Sequence, residues 1–315
     1  MKIVFMGSST FAIPTLVGLF ENGYSLAAVI TQPDKPSGRG QLLQAPPIKD
    51  QALEIHIPIH QPRSLKDDAA RSLFQALSPD MLVVVAYGKI LPPWLLQLPR
   101  YGAINLHGSL LPKYRGAAPI QWAVANGEQE TGVSTMQIDE GLDTGPVFLS
   151  QKSSIDPDES VQELSQRLSG IGSELVIRTI EGIENGTLKP TPQDGSKASL
   201  APIIEKKDGF IDWTDPARRI HDRVRAFTPW PGATTRFRET VCKILKTRVG
   251  GRDQTGSQPG VIFASGKLLA VASGDSGFVE ILELQPENRK PVRGFEFANG
   301  ARIQPGEKFE PLINS

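Results

Sequence analysis

The sequence contains an uninterrupted apolar run, Met81-Leu82-Val83-Val84-Val85-Ala86, near the middle of its first half. Apolar residues at consecutive positions, without alternation, are typical of a strand that is covered on both faces of a parallel sheet. We therefore place this strand at the centre of a sheet. On its N-terminal side, strand patterns at residues 3–6 and 26–31 flank a helix pattern at residues 11–20. This alternation predicts an α/β fold with a mostly parallel sheet.

The C-terminal side of the apolar run continues the same domain. Strands are predicted at residues 103–107 and 132–138, and a segment at 147–154 suits an antiparallel edge strand. A helix pattern over residues 159–180 closes the domain, which we bound at residues 1–183. Residues 184–207 are rich in Gly, Pro, Lys, Asp and Ser with little periodicity, so they are predicted to be an interdomain linker.

Residues 208–315 form the predicted second domain. A short helix at residues 216–227 precedes the turn Pro229-Trp230-Pro231-Gly232. Five short strand patterns separated by Gly-rich turns follow, and such a series predicts a small β-barrel. We expect Trp230, which lies between two prolines, to pack at the start of this barrel. We expect Cys242, inside a strand pattern, to be buried.

Composition limits the class of protein. A chain of 315 residues favours two domains, and its 39% of hydrophobic residues can fill their cores. The single cysteine excludes an intramolecular disulfide and a Cys-rich zinc site. No apolar run has the roughly 20 residues that cross a bilayer, and the N-terminus shows no signal-peptide pattern. We therefore expect a cytoplasmic location and no membrane partner.

The stretch Ala103-Ile104-Asn105-Leu106-His107 carries two polar side chains at the end of a predicted strand. Residues two apart in a strand point to the same side, so Asn105 and His107 project together. The carboxyl ends of parallel strands are where open α/β sheets place their ligand crevice. These residues are therefore candidates for catalysis. A histidine whose hydrogen bonds are merely satisfied at a strand end is the structural alternative.

A second loop, Asp139-Glu140-Gly141-Leu142-Asp143-Thr144-Gly145, follows another predicted strand. Its glycines allow sharp turns and close approach to a ligand. If this loop meets the first one, a carboxylate such as Asp143 orients the imidazole of His107 and holds it protonated. An acidic surface turn remains the other interpretation.

These stretches match a known family. The segment from Asn105 to Ile120, with Asn105-Leu106-His107-Gly108-Ser109-Leu110-Leu111-Pro112 at its start, resembles the signature of the formyltransferases that use 10-formyltetrahydrofolate. Gly141-Leu142-Asp143-Thr144-Gly145 resembles their second catalytic loop. Residues 3–7, 32–40 and 229–233 resemble the branch of the family that acts on methionyl-tRNA. The match covers both predicted domains.

The resemblance implies a Rossmann-like domain followed by an OB-like barrel. It implies transfer of a formyl group from 10-formyltetrahydrofolate to the amino group of methionine on initiator tRNA. We expect this chemistry to need no metal, and we expect a monomer. The catalytic residues carried over are Asn105, His107 and Asp143, and the residues that border the folate are Ser109, Leu110, Leu111 and Pro112. A metal site at His56 and His60 is disfavoured because Pro58 lies between them and no third ligand is evident.

Basic residues cluster in the second domain. Residues 218–252 contain ten Lys and Arg but only two acidic residues, which is typical of a phosphate-binding face. A solvated helix face and ordinary alternating strands explain the same charges equally well. With the resemblance, the tRNA-binding candidates are Lys35, Arg39, Arg218, Arg219, Arg223 and Arg225. Gln41-Leu42-Leu43 stands where the family often has further basic residues.

Other functions stay open at the level of the sequence. The same donor and catalytic residues serve a formyltransferase for a small amine or an amino sugar nucleotide, or a 10-formyltetrahydrofolate hydrolase. A non-catalytic RNA-binding protein is a reading from another class. The basic second domain argues against the small acceptors, and the presence of Asn105, His107 and Asp143 argues against the non-catalytic reading.

Overall fold

A computed structural model describes residues 1–37, 42–252 and 256–312. The chain divides into two compact units. The first comprises Met1–Pro119, Glu130–Ser154 and Ser165–Pro202, and the second comprises Ile120–Gln129, Ile155–Leu164 and Ile203–Ser315. The boundaries expected from the sequence, after residues 183 and 207, stay predictions.

The helices begin and end where local sequence favours it. Pro14 lies in the first turn of the first helix, where its missing N–H costs nothing, and the Asp67 side chain caps the third helix by accepting from the Ala70 N–H at 2.9 Å. In the described part of the chain, none of them is long and apolar enough to span a membrane. The helices are α1 Ile13–Glu21, α2 Pro47–Glu54, α3 Asp68–Leu77, α4 Pro93–Gln97, α5 Pro119–Ala125, α6 Val161–Glu184, α7 Ala217–Phe227 and α8 Gly294–Ala301.

The first unit is built on a seven-stranded sheet. Its strands, with four short ones outside the sheet, are β1 Lys2–Gly7, β2 Ser25–Ile30, β3 Lys35–Ser37, β4 Leu42–Gln44, β5 Ile59–His60, β6 Met81–Val85, β7 Ala103–His107, β8 Arg115–Gly116, β9 Glu130–Gln137, β10 Val147–Ser154 and β11 Leu200–Ala201. The order across the sheet is β10-β9-β7-β6-β1-β2-β5. The apolar run is the fully buried middle strand β6, as predicted. The predicted antiparallel edge strand is β10, which is also confirmed.

Parallel pairing sets the edge at which the site forms. β1, β2, β6 and β7 run in the same direction, so their carboxyl ends meet at one edge of the sheet. β9 pairs antiparallel with β7. The α/β class and the Rossmann-like sheet expected from the sequence are therefore confirmed.

The second unit contains a curled antiparallel sheet. Its strands are β12 Ala233–Phe237, β13 Thr240–Arg252, β14 Ile262–Ser265, β15 Leu268–Ala272, β16 Gly277–Pro286, β17 Val292–Arg293 and β18 Phe309–Glu310. The order is β14-β15-β16-β13-β12-β18, with β17 on β16. The Ile262 N–H donates to the Glu307 carbonyl at 2.8 Å, and the Phe309 N–H donates to the Gly260 carbonyl at 2.9 Å. These bonds join the two end strands, and they confirm the predicted small barrel.

Aromatic and aliphatic side chains fill this barrel. Trp213 stacks on Phe309 with ring centroids 5.8 Å apart, and its indole N–H donates to the Thr235 hydroxyl at 2.9 Å. Cys242 is fully buried in the same core, as predicted. Trp230, in contrast, is 57% exposed, so the expectation that it packs into the barrel is wrong.

Candidate active site

Asn105 and His107 lie in the C-terminal half of β7, at the edge of the sheet where the parallel strands end. The His107 ring is 5% exposed. Asn105 is partly exposed. Within the described parts of the chain no protein group hydrogen-bonds to the Asn105 amide. An accessible amide without a protein partner can donate to a ligand.

Both ring nitrogens of His107 face oxygen acceptors. Nε2 lies 2.9 Å from the carbonyl oxygen of Tyr114. Nδ1 lies 3.6 Å from Oδ2 of Asp143, which is an ion-pair distance rather than a hydrogen bond. The Tyr114 carbonyl can only accept, so Nε2 is the nitrogen that carries a proton and donates to it. The two predicted catalytic loops therefore meet at this ring.

Asp143 is held in a left-handed backbone conformation, with φ of 52°. Its Oδ2 also accepts a hydrogen bond from the Gly116 N–H at 2.8 Å. A Cβ on Gly145 would lie 1.9 Å from the Gln137 carbonyl oxygen, so the loop passes there only with glycine. Asp139 instead accepts from the Thr144 hydroxyl at 2.8 Å and closes the loop on itself. Of the carboxylates in this loop, Asp143 is the one beside His107.

The four residues expected to border the folate differ in orientation. Ser109 is fully buried, and its hydroxyl donates to the Lys113 carbonyl at 2.6 Å. Ser134 on β9 donates to the Ser109 carbonyl at 2.7 Å and accepts from the Leu111 N–H at 3.2 Å. Leu110, Leu111 and Pro112 are half-buried. Ser109 therefore shapes the turn, while the next three residues offer apolar surface.

Two residues at the site lie in the region that the sequence indicates as a linker. Gln193 donates to the carbonyl oxygens of Asp143 and Gly145 at 2.9 and 2.7 Å. Ser199 accepts from the Tyr114 N–H at 2.9 Å. The Gly- and Pro-rich composition around them gives no sign of these contacts, so sequence reasoning missed both residues.

Of the basic residues predicted to bind tRNA, three have accessible side chains. Lys35 is exposed, and its ammonium donates to the Gln32 side chain at 2.6 Å. The Arg219 side chain is 60% exposed, 3.4 Å from the Asp215 carboxylate. The Arg218 side chain is 45% exposed and pairs with Asp222. Arg39 lies outside the described residues.

The other two arginines of α7 are held by the protein. Arg223 is half-buried, donates to the Asp208 carbonyl at 2.5 Å and lies over the Phe227 ring; burial lowers its pKa. Arg225 is 6% exposed and pairs with the buried Asp222 at 2.8 Å. A phosphate-binding role for Arg225 conflicts with this burial, because its guanidinium is already turned inward.

The structure also bears on the histidine pair considered as a metal site. His56 is exposed, and His60 lies on the edge strand β5. Over residues 1–37, 42–252 and 256–312, no group of three or more His, Cys, Asp or Glu side chains is placed to hold a metal ion.

The architecture of the two units and the meeting of the two loops at His107 are those expected of a formyl transferase. The chain belongs to the formyl transferase family: the formyl transferase model matches residues 1–180, and the formyl transferase C-terminal domain model matches residues 203–302. It is similar to the methionyl-tRNA formyltransferase of Acidobacterium capsulatum, with 45% identity over 97% of this chain and 98% of the relative. It is also similar to the methionyl-tRNA formyltransferase of Thermodesulfovibrio yellowstonii, with 46% identity over 96% of this chain and 97% of the relative.

Solved structures share the fold at low sequence identity. The N-formyltransferase from Helicobacter canadensis, in complex with folinic acid and dTDP-3-aminofucose, superposes with a TM-score of 0.67 at 18% identity, over 89% of this chain and 98% of that one. HypX from Aquifex aeolicus, in complex with tetrahydrofolic acid, superposes with a TM-score of 0.66 at 16% identity, over 100% of this chain and 51% of that one.

Proposed function

We propose that this enzyme transfers the formyl group of 10-formyltetrahydrofolate to the amino group of methionine on initiator methionyl-tRNA. The acceptor is supported by relatives that are similar over nearly their whole length and are named methionyl-tRNA formyltransferase. A folate donor is supported by folate compounds in structures of the same fold. The observation that carries the chemistry is the meeting of His107 with Asp143, with Asn105 on the same strand and its amide without a hydrogen-bond partner among the described residues.

The residues suit an acyl transfer through a tetrahedral intermediate. The neutral amine of methionine attacks the formyl carbon, and the C–N bond to methionine forms while negative charge develops on the formyl oxygen. In this proposal the His107 ring is protonated on both nitrogens. Its Nε2–H stays bonded to the Tyr114 carbonyl, and its Nδ1–H, which makes no hydrogen bond to Asp143, donates to that oxygen together with the Asn105 amide. As the intermediate collapses, the bond between the formyl carbon and N10 of the folate breaks. The proton lost by the amine leaves with N10, and Asp143 assists by keeping the His107 ring charged.

The folate is proposed to lie against the segment that follows β7. Leu110, Leu111 and Pro112 are half-buried and offer apolar surface next to the catalytic ring. Ser109 is proposed to contribute through its buried turn rather than through its hydroxyl, which is already bonded within the protein. Flat apolar ligands commonly bind such surfaces together with a few fixed polar groups.

The tRNA is proposed to contact exposed basic side chains. The candidates are Lys35 and Arg39 in the first unit and Arg218, Arg219 and Arg223 in the second. Arg225 does not enter this proposal because it is buried against Asp222. Phosphate contacts release counterions, so the apparent affinity for tRNA falls steeply with salt, whereas the affinity for the folate does not. We propose a cytoplasmic location for the same reason, since a tRNA substrate is met where translation occurs.

The test is formyl transfer to methionyl initiator tRNA by wild type, His107→Asn and His56→Asn. His56 is exposed at φ of 57°, a conformation that asparagine tolerates, so it is a matched control. We expect His107→Asn to lose about 100- to 1000-fold in kcat, since it replaces the charged ring donor by a shorter, neutral amide, and His56→Asn to match wild type. Wild type that consumes the folate without formylating tRNA would show that the acceptor is a small amine, an amino sugar nucleotide or water.

A further inference from the structure

We infer that Gln193 is a positioning residue that fixes Asp143 beside His107. The inference rests on the proposed function, because it acts through the catalytic role of Asp143. Gln193 belongs to a segment that we call the strap, residues 191–201, which lies between α6 and the end of the first unit. The strap has little regular structure, yet it bonds to both catalytic loops.

The Gln193 amide makes four hydrogen bonds. Its Nε2 donates to the Asp143 carbonyl at 2.9 Å and to the Gly145 carbonyl at 2.7 Å. Its Oε1 accepts from Nε and Nη2 of Arg115 at 3.1 and 2.7 Å. A primary amide has two N–H donors and one oxygen with two lone pairs, so every group is used. The guanidinium on one side and the carbonyls on the other also fix which way the amide points.

The rest of the strap bonds to the same loops. Thr191 and Val147 exchange two backbone hydrogen bonds of 2.8 Å next to the end of the Asp143 loop. β11 of the strap pairs in parallel with β8, where Gly116 donates its N–H to Asp143. Ser199 accepts from the N–H of Tyr114, whose carbonyl is the partner of His107 Nε2. The strap therefore holds the neighbours of His107 on both sides of the ring.

Asp143 needs such support. Its left-handed backbone, at φ of 52°, is unfavourable for a residue with a Cβ, and such a conformation persists where surrounding contacts impose it. Gln193 binds the carbonyl of Asp143 itself, directly after the strained φ. Without these donors the loop relaxes, and the 3.6 Å separation between the carboxylate and the His107 ring is no longer maintained.

Three variants separate this role from general stability. Gln193→Glu has the same shape and keeps the acceptor for Arg115, but it loses both donors and sets a negative charge against two carbonyl oxygens. Gln193→Leu removes the donors to the two loop carbonyls and also the acceptor for Arg115. Gln151→Glu, on an exposed residue of β10, is the control for the same change of charge. Urea unfolding and hydrogen exchange confirm that each variant is folded and report opening of residues 139–146.

We expect both Gln193 variants to lower kcat for tRNA formylation by about 10- to 100-fold, which is typical of a small misplacement in an active site. KM for tRNA and for the folate stays within about twofold of wild type, and Gln151→Glu behaves as wild type. Exchange in residues 139–146 accelerates in the Gln193 variants alone. A normal kcat in both variants, with wild type active on tRNA, overturns the inference.

A double-mutant cycle with Asp143→Asn tests the route of the effect. If Gln193 acts through Asp143, Gln193→Leu lowers kcat much less in the Asp143→Asn background than in wild type. Equal losses in both backgrounds overturn the inference, since the residue then acts independently of Asp143. Failure of the proposed function is distinguishable, because wild type itself then fails to formylate tRNA while exchange in residues 139–146 still reports the effect of Gln193.

Discussion

Arg225 and Arg219 lie on the same helix but differ in environment, and replacing each by methionine separates structural from surface charge. Nε and Nη2 of Arg225 both lie 2.8 Å from Oδ1 of Asp222, which is 2% exposed. Its Nη1 donates to the Glu159 carbonyl at 2.9 Å. The Arg219 side chain lies 3.4 Å from the Asp215 carboxylate and is 60% exposed. We therefore expect Arg225→Met to unfold more easily and Arg219→Met to be as stable as wild type.

The magnitude follows from what each substitution leaves behind. Removing one partner of a buried ion pair costs about 3–5 kcal/mol, because the other charge stays buried. Asp222 keeps its second partner, Arg218, at 2.8 Å, so the lower end of that range, about 3 kcal/mol, applies to Arg225→Met. A mostly exposed arginine contributes about 0.5 kcal/mol or less, so Arg219→Met changes little.

Urea unfolding followed by tryptophan fluorescence measures the difference, since Trp213 lies in the core of the second unit. With a slope of about 2 kcal/mol per molar urea, a loss of 3 kcal/mol lowers the midpoint by about 1.5 M. tRNA binding is measured in parallel and weakens in Arg219→Met. The reasoning is refuted if Arg225→Met unfolds at the wild-type midpoint while its tRNA binding is lost.

Two further outcomes are expected. Burial is the largest effect that lowers the pKa of His221, and the arginines beside it contribute less. The unfolded chain therefore takes up a proton on His221 near pH 6.5, where the folded chain does not. As a result, the second unit loses stability as the pH falls below about 6.5. The urea midpoint should drop between pH 7.5 and 5.5 in wild type and drop less in His221→Asn. Gly116→Ala adds a Cβ 2.4 Å from the Ala201 carbonyl oxygen at φ of 128°, so it should lower the urea midpoint and kcat together. Gly170→Ala, inside α6 with open space around it, should leave kcat unchanged and should not lower the midpoint, since alanine favours a helix more than glycine does. A normal kcat in Gly116→Ala would contradict the role of the β8–β11 pairing.

The sheet and the candidate catalytic residues on β7 were predictable because their signals are local. The unbroken apolar sequence of β6 predicts a strand that is buried on both faces, and β6 is the middle strand of the sheet. Asn105 and His107 follow from strand periodicity alone, which also places them at the edge where parallel strands end. The Asp143 loop needed more than periodicity, since three carboxylates compete there, and the family resemblance selected the one that the structure places beside His107.

Other features depend on contacts that no sequence pattern records. The bonds of Gln193 join residues about 50 positions apart, and a segment rich in Gly, Pro and Ser gives no periodicity from which to infer them. Arg225 did carry a usable signal, because Asp222 lies three residues before it, a spacing at which two side chains of a helix can pair. The net charge of residues 218–252 does not contain this signal, because a sum of charges does not distinguish a paired arginine from an exposed one. The prolines on both sides of Trp230 led us to expect packing against the barrel, but they do not decide whether the side chain is buried, and it is exposed.

The strap also determines where members of this family can be recombined. The formyl transferase model ends at residue 180, before the strap begins, and α6 ends at Glu184. A chimera joined there would combine the catalytic loops of one parent with the Gln193 and β11 segment of the other. Since the first unit continues to Pro202, a joint after that residue keeps the loops and their support from a single parent. Exchange of the C-terminal chain between relatives should therefore begin at Ile203 rather than directly after α6.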